Sequence, residues 1–271
     1  MSFSRLILGL FLAAHSSLAA SGPTGKPLRI LALGDSITRG TYLTQYAEGP
    51  YRGKAIGRAN PKGGGWRKPL QDQLRAAGVA YDFVGELSYH AYGDAGSVDP
   101  AFDPDHHGLA GFGNRRILEG GTVPTPADVL TALGVTQITV PDLATVLSRH
   151  RPDIILLMSG ANGFDAPARD ELIRQIGRVS SAHLFVASLP AQRPPRTGWE
   201  KVDDYNASLP AIVAAQQTAG HRITLVEMNR AVGTDDLLPD GVHPGEEGLR
   251  KMAAAWFHAL RTTGYVPPES L

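Results

Sequence analysis

Apolar residues concentrate in five short runs: Leu28–Leu33, Tyr81–Val84, Asp153–Met158, His183–Ser188 and Ile223–Met228. Runs of this length, closed by Gly, Pro or polar residues, predict buried β-strands. Between them the apolar positions change to helical spacing. Leu70, Leu74 and Ala77 recur on one face, with Pro69 near the start and Gly78 at the end. Leu143, Val146 and Leu147 mark a helix over 142–150, and further helices are predicted over 168–178 and about 203–218. The last helix is predicted to start at Pro244, with Glu246 and Glu247 in its first turn. Its apolar stripe is Leu249, Met252, Ala253, Trp256, Phe257 and Leu260. Strands alternating with helices specify a parallel sheet. The predicted fold is therefore α/β: a three-layer α/β/α sandwich around a mainly parallel five-stranded sheet, one domain over residues 26–265. Two stretches, Thr41–Gly65 and 86–127, show no period and are read as long loops, which in a compact domain are functional or unstructured.

Composition narrows the choice of partners. The chain has 271 residues, enough for one α/β domain with a sizeable core. Lys plus Arg equals Asp plus Glu at 26 each, so nothing favours nucleic acid or an anionic membrane. There is no cysteine, which excludes disulfides, thiolate metal sites and a Cys nucleophile. Arg5, the apolar run Leu6–Ala14, and the small residues Ser16, Ser17, Ala19, Ala20 and Ser21 describe a signal peptide over residues 1–20. The run is short for a membrane span, and no second long apolar run follows. The expectation is a secreted or periplasmic protein with no integral membrane segment once the signal is removed.

Candidate chemistry gathers where apolar runs stop. Gly34-Asp35-Ser36, Gly160-Ala161-Asn162 and Asp240-Gly241-Val242-His243 each follow a predicted strand. In a parallel sheet those ends share one edge, where ligands bind. Ser36 needs a base to become a nucleophile, and otherwise reads as a helix N-cap. Asp240 stands three residues before His243, close enough to orient its imidazole and stabilise the imidazolium; the plain alternative is a turn and a helix cap. Asn162 could donate to an oxyanion or simply form a turn, and Gly111 could offer an unobstructed backbone N–H or be an ordinary loop residue.

These blocks, in this order, resemble the SGNH (GDSL-type) hydrolases: Gly34-Asp35-Ser36, the glycine block 108–111, Gly160-x-Asn162 and Asp240-x-x-His243. The resemblance implies Ser36 as nucleophile, His243 as base and Asp240 as its partner. It also implies Gly111, Asn162 and the Ser36 N–H as oxyanion donors. Leu33–Thr38, Gly65–Leu70, Asp82–Gly85 and Asp105–Gly108 are similar to the branch containing carbohydrate acetylesterases that act on xylan. One departure is Gly163, where the third block usually carries Asp.

The implied activity is a secreted serine esterase that removes short acyl groups, acetyl above all, from carbohydrate. A lysophospholipase or thioesterase is the alternative within enzymes, and a carbohydrate-binding domain without catalysis is the alternative outside them. Asp35, Tyr42 and Trp66 are the candidate substrate-contacting residues, with Tyr46, Tyr51, Tyr89 and Tyr92 as further aromatic platforms. The partner is an acylated carbohydrate or small ester; no cofactor is expected. Asp103, Asp105, His106 and His107 do not have a zinc spacing, so no metal is expected. Asn206-Ala207-Ser208 is a glycosylation sequon, or Asn206 caps a helix start.

Overall fold

The computed structural model describes residues 26–45, 55–59, 64–88, 101–123 and 138–268. In chain order the first half holds β1 (Leu28–Gly34), α1 (Ser36–Arg39), β2 (Thr41–Gln45), β3 (Ala55–Ala59), α2 (Arg67–Ala76) and β4 (Tyr81–Val84). Next come β5 (His107–Gly108), α3 (Asn114–Glu119), β6 (Gly121–Val123), β7 (Ile138–Val140) and α4 (Leu143–His150). The second half holds β8 (Ile154–Met158), α5 (Ala166–Val179), β9 (His183–Ala187), α6 (Val202–Ala207) and α7 (Leu209–Thr218). It closes with β10 (Ile223–Val226), α8 (Met228–Ala231) and α9 (Glu246–Thr262).

The five expected strands pair in parallel in the order β10-β9-β8-β1-β4. β4 covers only the first half of β1. Beyond it, β5 takes over the same edge, with Leu33 opposite His107 and Gly34 opposite Gly108. On the other side Gly34 lies opposite Met158, so β1 and β8 end together. That closeness needs a glycine, since a Cβ on Gly34 would sit 2.0 Å from the Met158 carbonyl oxygen.

Both faces of the sheet are covered, which is why the strands read as continuous apolar runs instead of alternating. Ile30, Ala32, Leu156, Met158 and Phe185 pack under Leu70, Trp66, Met252 and Trp256 of the α2 and α9 side. Leu31, Leu33, Ile155, Leu157 and Val186 face Val146 and Leu147 of α4, Leu172 and Ile173 of α5, and Ile212 of α7. Among the described residues no helix is long and apolar enough to cross a membrane.

Five expectations are corrected. The stretch 41–65 contains the antiparallel pair β2–β3, and 86–127 contains β5, α3 and β6, the last paired with β7. The helix expected over 203–218 is broken at Ser208. Pro210, in the first turn of α7, has no N–H to continue α6, and the Ser208 hydroxyl bonds back to Tyr205 O at 2.9 Å. The final helix starts at Glu246, not Pro244, because Pro244 is drawn into an antiparallel bridge with Leu237 and Gly245 becomes the cap. Asn206 lies inside α6 and is no start cap; its amide is buried, accepting from Leu189 N and donating to Leu189 O. Residues 1–20, Tyr46, Tyr51, Tyr89 and Tyr92 lie outside the described residues, and Tyr42 is placed by its backbone, opposite Arg58 in the β2–β3 pair.

Candidate active site

Ser36 is the first residue of α1, one residue past the end of β1. Asp35 caps that short helix by accepting from Ile37 N at 3.1 Å, and Gly40 ends it in the left-handed region. The capping role weighed for Ser36 therefore belongs to Asp35. This leaves the Ser36 hydroxyl to His243: its Oγ lies 2.8 Å from His243 Nε2, with Ser36 8% exposed.

His243 Nδ1 lies 2.5 Å from Asp240 Oδ2. The other carboxylate oxygen accepts from the amides of Val242 and His243, each at 3.1 Å. A carboxylate held in this way keeps the proton on Nδ1 and turns the Nε2 lone pair toward Ser36. Burial by itself would raise the Asp240 pKa. The hydrogen bond and charge of His243, with the two amides, outweigh it and hold the group below the usual carboxylate range.

The loop after β8 is tied to the same residues. Asp35 Oδ2 accepts from Gly160 N at 3.3 Å and Ala161 N at 3.2 Å, so one carboxylate joins the Ser36 turn to the Asn162 loop. Asn162 Nδ2 donates to Phe112 O at 3.1 Å, and a primary amide retains a second N–H. Gly111 is the third residue of a turn closed by Phe112 N to Leu109 O at 3.0 Å. Its φ of 78° is the positive value that a type II turn demands of that position. β5 brings the turn to the sheet edge, where Leu109 N donates to Gly34 O at 2.8 Å. Gly111 and Asn162 line one cleft.

Sequence reasoning missed the supports of this site. Tyr205 OH donates to Ser159 O at 2.8 Å and accepts from Asn114 Nδ2, while Ser159 Oγ donates to Asn114 Oδ1. The loop 190–198 runs between the Asn162 and His243 loops. Arg196 donates to Ala161 O, and Arg193 N donates to Gly241 O at 3.1 Å. Gly241 has φ 72°, and a Cβ there would meet Arg193 O at 2.0 Å. None of these side chains belongs to a short motif, and only the contact itself reveals them.

Two expected substrate contacts are overturned. Trp66 is 0% exposed, its ring centroid 5.5 Å from that of Trp256, so it is a core residue with no face to offer a sugar. Asp35 is 0% exposed and its carboxylate oxygens are taken by three backbone amides. Asp103 accepts from Phe83 N and Asp105 N, and His106 Nδ1 accepts from Gly108 N. Among the described residues no group of three or more His, Cys, Asp or Glu is arranged to hold a metal.

The family model described as GDSL-like Lipase/Acylhydrolase matches residues 30–256. A Clostridium thermocellum family 3 carbohydrate esterase superposes with a TM-score of 0.60 at 25% identity, covering 88% of this chain and 99% of that one. A carbohydrate esterase family 3 structure from Talaromyces cellulolyticus, at 20% identity and TM-score 0.59, covers 87% of this chain and 97% of that one and shares the fold. A curated Acetivibrio thermocellus protein named "Putative endoglucanase X" is 31% identical over 121 residues, 41% of this chain. The match spans about half of that relative, 51% of its length.

Proposed function

The chain belongs to the GDSL-like lipase/acylhydrolase family of carboxylic ester hydrolases, and from that premise we propose that it is an exported serine esterase removing acetyl groups from carbohydrate. The observation that carries the reading is the continuous relay from Ser36 Oγ through His243 to Asp240, at 2.8 Å and 2.5 Å. In the first half-reaction His243 Nε2 takes the Ser36 proton as Oγ attacks the ester carbonyl. The tetrahedral oxyanion is met by N–H groups of Ser36, Gly111 and Asn162; one such donor is worth roughly 3–4 kcal/mol. The imidazolium, stabilised by Asp240, then protonates the departing sugar oxygen and leaves acetyl-Ser36. Water, deprotonated by His243, releases acetate and restores the hydroxyl.

The carbohydrate part of the proposal is supported by the likeness to family 3 carbohydrate esterases. The cleft at Asn162, lined by Gly, Arg and Asp more than by apolar side chains, also suits a sugar. Export is supported by the charged start and short apolar run within residues 1–20. The test is hydrolysis of 4-nitrophenyl acetate by Ser36→Ala, with circular dichroism as the folding control. Loss of turnover on the order of 10⁶-fold is expected; undiminished turnover overturns the mechanism. Rates on acetyl, butyryl and decanoyl esters, then on acetylated xylan, test the substrate. A decanoyl preference would favour a lysophospholipase-like enzyme instead.

A further inference from the structure

Beside Asn162 a cleft of about 390 Å³ opens at the sheet edge, within the size range of small-molecule sites. Gly111, Gly113 and Gly163 keep its walls low. At Gly163 a Cβ would meet nothing within 4 Å, so the position that the third block usually fills with Asp is open space here. The charge of the cleft is set from its other side. Arg115 and Arg116, on α3, both line it.

The two guanidiniums are prepared differently. Arg116 lies 4.0 Å over the Phe112 ring and donates Nη2 to Thr122 O at 2.8 Å, which fixes the plane and leaves further N–H groups of its fork. Arg115 has a side chain 66% exposed and sits 3.8 Å from Glu119, an exposed pair that contributes little. Asp165 is the acidic residue of the lining, and its Oδ1 is turned to Ala168 N at the start of α5. The cleft thus presents two cations against one carboxylate already used as a cap.

We propose that this cleft is a subsite for a carboxylate carried by the ester substrate, held by Arg116 and Arg115 while the ester carbonyl meets Asn162 and Gly111. The proposal rests on the esterase reading and adds the charge of the substrate to it. The carboxylate belongs either to a uronic acid residue beside the acetylated sugar or to a dicarboxylic acyl group. Arg suits both, because its planar fork matches a carboxylate with two hydrogen bonds.

The experiment compares kcat/KM within two pairs of esters, each normalised to its hydroxide-catalysed rate. One pair is acetylated xylo-oligosaccharide with and without a glucuronic acid substituent; the other is 4-nitrophenyl hydrogen adipate against 4-nitrophenyl acetate. Preference for the anionic member of either pair is expected, and which pair shows it identifies the source. Charge-assisted hydrogen bonds predict a roughly tenfold or larger fall of that ratio in Arg116→Gln. The preference should also shrink at roughly 1 M salt, where the Debye length is about 3 Å. Arg115→Gln, at an exposed position, provides a second variant should the first fold poorly. No anionic preference in either pair, or one unchanged by both substitutions, overturns the subsite while leaving the esterase intact. Failure to hydrolyse any of the four esters overturns both.

Discussion

Asp240 shows how much one side chain is asked to do. Its Oδ1 holds the loop through two amides, and its Oδ2 holds the imidazole of His243. Asp240→Asn keeps the size but sets an amide against Nδ1 and favours the wrong tautomer. Initial rates on 4-nitrophenyl acetate should fall on the order of 10⁴-fold at neutral pH, with the fold intact. His107 makes a different prediction. It is fully buried, neither ring nitrogen has a hydrogen-bond partner among the described residues, and burial, helped by the charge of His150, pushes its pKa down to about 3. In the unfolded chain it titrates near ~6.5. Between those values the unfolded state binds a proton that the folded state refuses, so its contribution to stability falls as pH drops from ~6.5 toward 3. His107→Met should be no less stable at pH 7 and should flatten the melting temperature against pH between ~6.5 and 4. An equally steep acid loss in that variant would place the sensitivity elsewhere.

At the scale of elements, the site is made by ends of strands and held by a loop. Two polar clusters directly follow β1 and β8 and are visible in the linear pattern, since each is local; the Asp240–His243 cluster, expected at a strand end, instead follows β10 only after α8. The part played by loop 190–198 is not visible there. Arg193 and Arg196 stand in a Pro-rich stretch without a motif, yet one bonds the backbone beside His243 and the other the backbone beside Asn162. In the proposed mechanism Arg196, through its bond to Ala161 O, is a positioning residue for the oxyanion side of the site. Arg196→Ala should lower kcat by about tenfold to a hundredfold with KM little changed, because a displaced donor weakens the transition state more than binding. Arg196→Lys, which retains a donor, should restore part of kcat. A change confined to KM would argue against this role.

For the whole molecule, two apolar clusters on opposite faces of one sheet hold the strand ends in register. Trp66 and Trp256 join the α2 and α9 side to the sheet, both 0% exposed. Trp256→Ala should cost about 3–5 kcal/mol in urea unfolding, the usual penalty for emptying a buried aromatic site. By itself the sequence determined the five strands, the break at Gly34 and the pairing of Asp240 with His243. Each depends on neighbours within one run or one turn, and those are written in linear order. Tertiary structure decided the rest: Asp35 reaching the amide of Ala161, 126 positions away, β5 carrying Gly111 to the sheet edge, and Trp66 turning into the core. These contacts follow from strand order, register and the packing of two layers, and no local spacing encodes them.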